Sequence, residues 1–262
     1  MLGHRGTGRG AGNASLYNGI RPLPRREELL GPQGALLLSS PRPQHSTTTI
    51  AVVAHNSRSS MAQTLVGTVR ADHLAMDDGR LGCEGNHRRA WNWLRDNATN
   101  SSGWSVVLED DAQPTEGFRD QLDAALAVAP SPVVSLYLGR ERPPYAQERI
   151  ARAVVRAGDS ASWIVAPRMW FAVGVAVLSD LVPDLTQYLE CDPRKSRPID
   201  EAIGRWAMKH RRPVAYTWPS LVDHADVVPV IGQRADRQSR DRGRRAWLVG
   251  GRQRWTTDTV TI

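Results

Sequence analysis

Three consecutive acids, Glu109-Asp110-Asp111, follow directly on the apolar run Trp104-Ser105-Val106-Val107-Leu108. A run of that length and composition predicts a buried strand, and open α/β sheets bind ligands at the carboxyl ends of their strands. Three adjacent carboxylates repel one another, at about 3 kcal/mol per pair if they lie ~6 Å apart in an effective dielectric near 20. A bound divalent cation removes that cost. Mg²⁺ or Mn²⁺ suits oxygen ligands of this kind, and either ion also binds phosphate oxygens and neutralises a departing diphosphate. The competing reading is a solvated strand-to-helix turn, with Asp111 helping to cap a helix near Thr115.

Other residues offer themselves to the same chemistry. Asp223-His224-Ala225-Asp226 follows a second apolar run, so that an imidazole and two carboxylates are expected at the same sheet edge, with His224 as a third metal ligand. In Leu81-Gly82-Cys83-Glu84-Gly85-Asn86-His87, glycines precede a predicted helix. Gly82 would let backbone approach an anionic ligand at the helix N-terminus. Asp77-Asp78-Gly79 just upstream is a turn signal that could also hold a donor ribose or a metal. Asp200 opens the predicted helix after Pro198; it either complements the helix dipole or acts as a general base toward an acceptor hydroxyl. Arg140 and Arg142 follow the run that ends at Leu138, where a guanidinium can bind a diphosphate through two parallel hydrogen bonds. The two cysteines, Cys83 and Cys191, are too few and too poorly spaced for a disulfide framework or a zinc site, and are read as reduced thiols that pack as small hydrophobes.

The elements that must position these residues alternate along the chain. Strands are predicted at 49–54, 73–76, 104–108, 133–138 and 213–218, and helices by the apolar stripes Met61/Leu65/Val69, Trp91/Leu94/Ala98, Phe118/Leu122/Ala125/Leu126 and Ile199/Ile203/Trp206. A further helix is expected at 178–189. Between Trp163 and Val177, two apolar segments separated by Pro167-Arg168 suggest a hairpin or a pair of short strands. Alternation of strands and helices implies an α/β fold, a mostly parallel sheet covered by helices on both faces.

Composition bounds the rest. With 262 residues, 40% of them hydrophobic, the chain can build one large domain. No apolar run approaches the roughly 20 residues that span a bilayer, so a cytoplasmic protein is expected. The net charge of +7 resides at the ends: residues 1–48 carry six Arg against two Glu, and residues 232–262 eight Arg against three Asp, leaving the middle slightly acidic. Residues 1–48 are rich in Gly, Pro, Ser and Arg and read as a disordered basic extension. The domain is expected over 49–231, followed by an Arg-rich tail over 232–262. Nucleic acid is a conceivable partner only through these basic ends, above all Arg234 to Arg254.

Three blocks in order give the chain a family likeness: the opening strand with Asn56 and Arg58, the Gly82-Cys83 to His87 block with Trp91, and Val106-Val107-Leu108-Glu109-Asp110-Asp111. Together they resemble glycosyltransferase family 25, the lipooligosaccharide and collagen-type galactosyltransferase-like group, in the compact form found in actinobacteria and their phages. The likeness covers about residues 49–120 and extends more loosely to 226; the family shows Ser-His where this chain has Asn86-His87. It implies a GT-A-like fold, a UDP-hexose or related nucleotide-sugar donor, a glycan, lipid or protein acceptor, and a divalent metal held by the acidic motif. The resulting assignment is Glu109, Asp111 and His224 as ligands to Mn²⁺ or Mg²⁺, Asp110 and Asp200 as catalytic carboxylates, and Asp77, Asp78, Gly82, His87 and Arg140 as the donor-binding set. Two alternatives remain open: a non-catalytic, Arg-rich nucleic-acid-binding protein, and an inactive transferase fold kept as a sugar-binding module.

Overall fold

A computed structural model describes residues 48–98, 101–194, 197–225, 227 and 244–262. Asp226, most of the N-terminal extension and residues 228–243 of the basic C-terminal region therefore lie outside the described residues. In chain order the elements are β1 (Thr48–His55), α1 (Ser59–Val69), β2 (His73–Asp77), α2 (Gly82–Asn97), β3 (Trp104–Glu109), β4 (Ala112–Pro114) and α3 (Phe118–Ala127). There follow β5 (Val133–Ser135), α4 (Pro144–Ala157), β6 (Trp163–Ala166), β7 (Gly174–Leu178), α5 (Val182–Cys191), α6 (Ile199–Lys209), β8 (Val214–Thr217), β9 (Val222–His224) and β10 (Thr259–Thr261).

Eight strands form one sheet in the order β10-β6-β8-β5-β7-β3-β1-β2, and β4 pairs with β9 in a separate two-stranded ribbon. The protein is thus α/β. Of the seven pairings in the large sheet, four are parallel and three antiparallel. The parallel block β2-β1-β3 carries the acidic motif at its carboxyl edge.

Strand alternation sends successive side chains to opposite faces. On β1, Ala51 and Val53 join Trp91 and Leu94 of α2, with α4, α5 and α6 covering the same face. Ile50 and Val52 point the other way, onto Leu65 and Val69 of α1 and Phe118, Leu122 and Leu126 of α3. Both faces are covered, as the near-continuous apolar strands require.

Two segments differ from the sequence expectation. The segments on either side of Pro167-Arg168 do not form a hairpin: β6 lies between β8 and β10, whereas β7 runs antiparallel between β3 and β5. Their connection is no surface turn, because Met169, Trp170, Ala172 and Val173 are buried. The Tyr216 hydroxyl pins it, accepting from the Trp170 N–H at 3.0 Å and donating to the Arg168 carbonyl at 2.8 Å. Residues 244–262 are built into the domain. β10 extends the sheet beside β6, Trp255 is buried, and Arg252 donates inward to the carbonyls of Ala161 (2.8 Å) and Trp218 (3.0 Å). Among the described residues, no helix is long and apolar enough to cross a membrane.

Candidate functional site

Parallel pairing aligns the strand ends: His55 of β1 stands opposite Asp77 of β2, and Glu109 of β3 pairs with Val53. The chain leaving β2 must turn back into α2 within five residues. Asp77 organises that turn, its carboxylate accepting from the N–H groups of Gly79 (3.0 Å), Leu81 (3.2 Å) and Gly82 (3.1 Å). Gly79 and Gly82 have φ of +95° and +68°, a left-handed backbone that favours glycine. Burial works against ionisation of Asp77, yet those three N–H groups and Arg89 hold its carboxyl below the usual range.

Asn86, one turn into α2, donates its amide to the carbonyls of Ala54 (3.1 Å) and Ala75 (2.8 Å), fastening the helix to both neighbouring strands. This aims His87 at the sheet edge. Its ring is almost wholly buried, and Nε2 lies 3.3 Å from Glu109 Oε1. Cys83 sits one turn earlier, and the donor atoms of Cys83, His87 and Glu109 all lie within 4.8 Å of one another.

On the far side of Glu109, the chain turns into β4, and both following acids are buried. Asp110 accepts from the His55 N–H at 3.0 Å and from Arg58 Nη1 at 2.7 Å. The same Nη1 reaches Asp111 Oδ2 at 2.9 Å. The β4–β9 ribbon pairs Ala112 with His224, and Ala225 N–H donates to the Asp111 carbonyl at 2.7 Å. His224 Nε2 thereby comes to 3.5 Å from Asp111 Oδ2. Asp223 faces elsewhere and holds the C-terminal segment, accepting from the Ala246 N–H at 2.8 Å and from Arg245 at 3.1 Å.

Burial drives the Glu109 carboxyl up, but the hydrogen bond from His87 and the charges of His87, His224 and Arg244 hold it below the usual range. The Asp111 carboxyl is raised, by burial first and then by Glu109, against the pull of His224 and Arg58. Arg58 is the guanidinium in direct contact with Asp110 and Asp111. Asp111 Oδ1 and the Nδ1 atoms of His87 and His224 are buried with no hydrogen-bond partner. A buried carboxylate oxygen left unpaired is costly, and a divalent cation would satisfy it.

The structure therefore brings together Glu109, Asp110, Asp111, His87 and His224 of the sequence-derived set. Asp77 and Gly82 shape the turn beneath them, while Asp78 is exposed and pairs with Arg80. Asp200 stands at the first turn of α6, near the buried Tyr216 of β8, a strand three places from β3. Arg140 is exposed, and its charge reaches Tyr137, whose ring centroid is 6.4 Å from that of His224. Cys83 is a reduced thiol, as expected, and the fold also sets its Sγ within 4.8 Å of donor atoms of His87 and Glu109. Its signal was the i, i+4 spacing with His87, which puts both on one helix face. The role of Arg58 was equally unread, although a cation just past β1 is well placed to meet acids just past β3.

Replacing Asp77 by alanine is expected to loosen the start of α2 and cost about 1–3 kcal/mol in denaturant unfolding. The folded-state pKa is depressed, so this contribution is complete above the unfolded value of about 3.9 and disappears as pH falls through the folded value. The difference between wild type and variant should accordingly narrow toward strongly acidic pH.

A scan against family models and a search of curated proteins find no match to this chain.

Proposed function

We propose that the protein is a metal-dependent glycosyltransferase of GT-A-like fold and family 25 type. It moves a hexose from a nucleotide-sugar donor, UDP-hexose foremost, to a hydroxyl of a glycan, lipid or protein. One observation carries this reading: just past Glu109, at the carboxyl end of a parallel strand block, Asp111 Oδ2 lies 3.5 Å from His224 Nε2, and the buried Oδ1 of Asp111 lacks a partner. That is where an α/β sheet presents a ligand, with the donor chemistry a hard cation requires.

In this reading Glu109, Asp111 and His224 hold Mn²⁺ or Mg²⁺, which when bound offsets the charge developing on the departing diphosphate. Both oxygens of Asp110 are already engaged, so Asp110 anchors Arg58 and the end of β1. Arg58 balances part of the carboxylate charge and keeps Asp111 oriented. Arg140 and the N-terminal turn of α2 are the donor-phosphate contacts. The acceptor oxygen forms its bond to the anomeric carbon as the carbon–oxygen bond to phosphate breaks. The electron pair leaves with the nucleoside diphosphate, and the hydroxyl proton passes to a carboxylate, for which Asp200 is the candidate.

A nucleic-acid-binding reading draws on the Arg-rich C-terminal region. It is less favoured because, among the described residues, Arg252 spends its guanidinium on buried carbonyls and Arg245 pairs with Asp223. A thermal-shift panel of nucleotide sugars with and without Mn²⁺ tests the transferase reading. A true donor should stabilise the fold only with the metal present, by about 2.7 kcal/mol at a hundredfold excess over Kd. Absence of any metal-dependent shift would count against it, and binding without turnover would indicate an inactive sugar-binding module.

A further inference from the structure

The geometry points to a second cation position, a thiolate-containing site for Zn²⁺ formed by Cys83, His87 and Glu109. It does not depend on the transferase reading, although it shares Glu109 with the acidic cluster. Cys83 and His87 are one turn apart on the same face of α2, and their donor atoms and that of Glu109 lie within 4.8 Å of one another. In a tetrahedral zinc site with bonds of about 2.0–2.3 Å, neighbouring ligand atoms stand roughly 3.5 Å apart. His87 Nε2 and Glu109 Oε1, at 3.3 Å, already have that spacing. Cys83 then needs to draw in by no more than about 1.3 Å, a rotamer-scale adjustment.

A second observation singles out the imidazole. The His87 ring is 2% exposed, and its Nδ1 is buried without a hydrogen-bond partner, so packing has not used up its polar capacity. Its Nε2 is aimed at Glu109. The platform is rigid for a helix start, because Asp77 cinches the preceding turn and Asn86 ties α2 to the carbonyls of β1 and β2. Ligands fixed in this way lose little freedom when a metal arrives.

The donor set decides which metal. Sulfur, imidazole nitrogen and one carboxylate oxygen form a borderline-soft trio that favours Zn²⁺ and its congeners over Mg²⁺. Three protein ligands leave one tetrahedral position open, the arrangement found when a metal also takes water or substrate. The Asp111–His224 side, with Glu109 shared between the two positions, offers carboxylates and one imidazole and no sulfur, so the two positions should sort cations by hardness.

The test uses the full chain freed of metal and titrated with Co²⁺, a spectroscopic stand-in for Zn²⁺. A thiolate-to-cobalt charge-transfer band should appear and be displaced by Zn²⁺ but not by Mg²⁺. Cys83→Ser should abolish the band and weaken Co²⁺ binding at least tenfold, whereas Cys191→Ser, at the exposed end of α5, should retain both. Asp111→Asn should keep the band even if donor binding is lost, which separates this proposal from the transferase reading. In the unmodified protein, Zn²⁺ should protect Cys83 from iodoacetamide, read by peptide mass, while Mg²⁺ should not. No band in wild type at saturating Co²⁺, a band that survives Cys83→Ser, or alkylation of Cys83 indifferent to Zn²⁺ would each overturn the site.

Discussion

Asp111→Asn is expected to reduce metal-stimulated donor turnover by at least about a hundredfold while leaving the protein folded. Asparagine keeps the shape of the side chain and can still accept from Arg58, but it removes the charge that a divalent cation requires. The folded state should not suffer much. The Asp111 carboxyl is raised by burial and by Glu109, so its ionised form is a burden on the metal-free protein. For an acid with a raised folded-state pKa, the burden is absent below the unfolded value near 3.9 and grows as pH rises toward the folded value. Steady-state turnover with saturating Mn²⁺, alongside a denaturant midpoint, separates the two effects. Undiminished turnover in this variant would remove the cation from the acidic cluster.

Arg58→Met is expected to produce the largest loss of stability at the site, about 3–5 kcal/mol at neutral pH. Its guanidinium pairs with Asp110 at 2.7 Å and Asp111 at 2.9 Å where all three side chains are largely buried. Removing one partner of a buried ion pair leaves the other charges uncompensated. Without Arg58 the carboxyl of Asp111 should rise further, because the guanidinium is one of the groups holding it down. Folding then takes up a proton between the unfolded and folded values, so the variant should regain stability as pH is lowered through that window. Divalent cations should also stabilise the variant more than wild type, since they replace the missing positive charge. Urea unfolding at neutral and mildly acidic pH, with and without Mn²⁺, checks both statements; a defect that ignores pH and metal would mean Arg58 matters for packing alone.

The parts of the fold that were legible in the sequence are those where apolar residues announce themselves. β1, β2 and β3 and the stripes of α1, α2, α3 and α6 follow from β-branched runs and from helical spacing of large side chains. Helix α4 gave no comparable signal, since its buried face is Ala146, Ile150, Ala153 and Ala157, three of them alanine. β7 was readable as a strand but not as a neighbour of β3, because pairing across a sheet is decided by the whole packing arrangement. Likewise β10 is short and polar, and its place beside β6 comes from a backbone ladder and the packing of Trp255.

At the candidate site, the acidic motif was legible because three charged residues at the end of a buried strand are conspicuous. His224 was legible as a candidate, but its meeting with Asp111 depends on the β4–β9 ribbon, whose central Cα partners Gln113 and Asp223 are 110 positions apart in the chain, a separation no local pattern encodes. Arg58 as a partner of Asp110 and Asp111, and Cys83 as a neighbour of Glu109, were illegible for the same reason, although the i, i+4 spacing of Cys83 and His87 was readable. A lone arginine after a strand and a lone cysteine in a helix acquire meaning only from what the fold sets opposite them.

The central claim, that the acids at the end of β3 grip a cation and through it a diphosphate, is tested most directly by calorimetric titration of UDP and other nucleoside diphosphates with and without Mn²⁺. Coupled sites strengthen each other reciprocally. Saturating Mn²⁺ should raise nucleotide affinity at least tenfold, the nucleotide should raise Mn²⁺ affinity by the same factor, and Asp111→Asn should abolish the coupling. Nucleotide binding that is indifferent to Mn²⁺, or no binding by any nucleoside diphosphate in its presence, would contradict it.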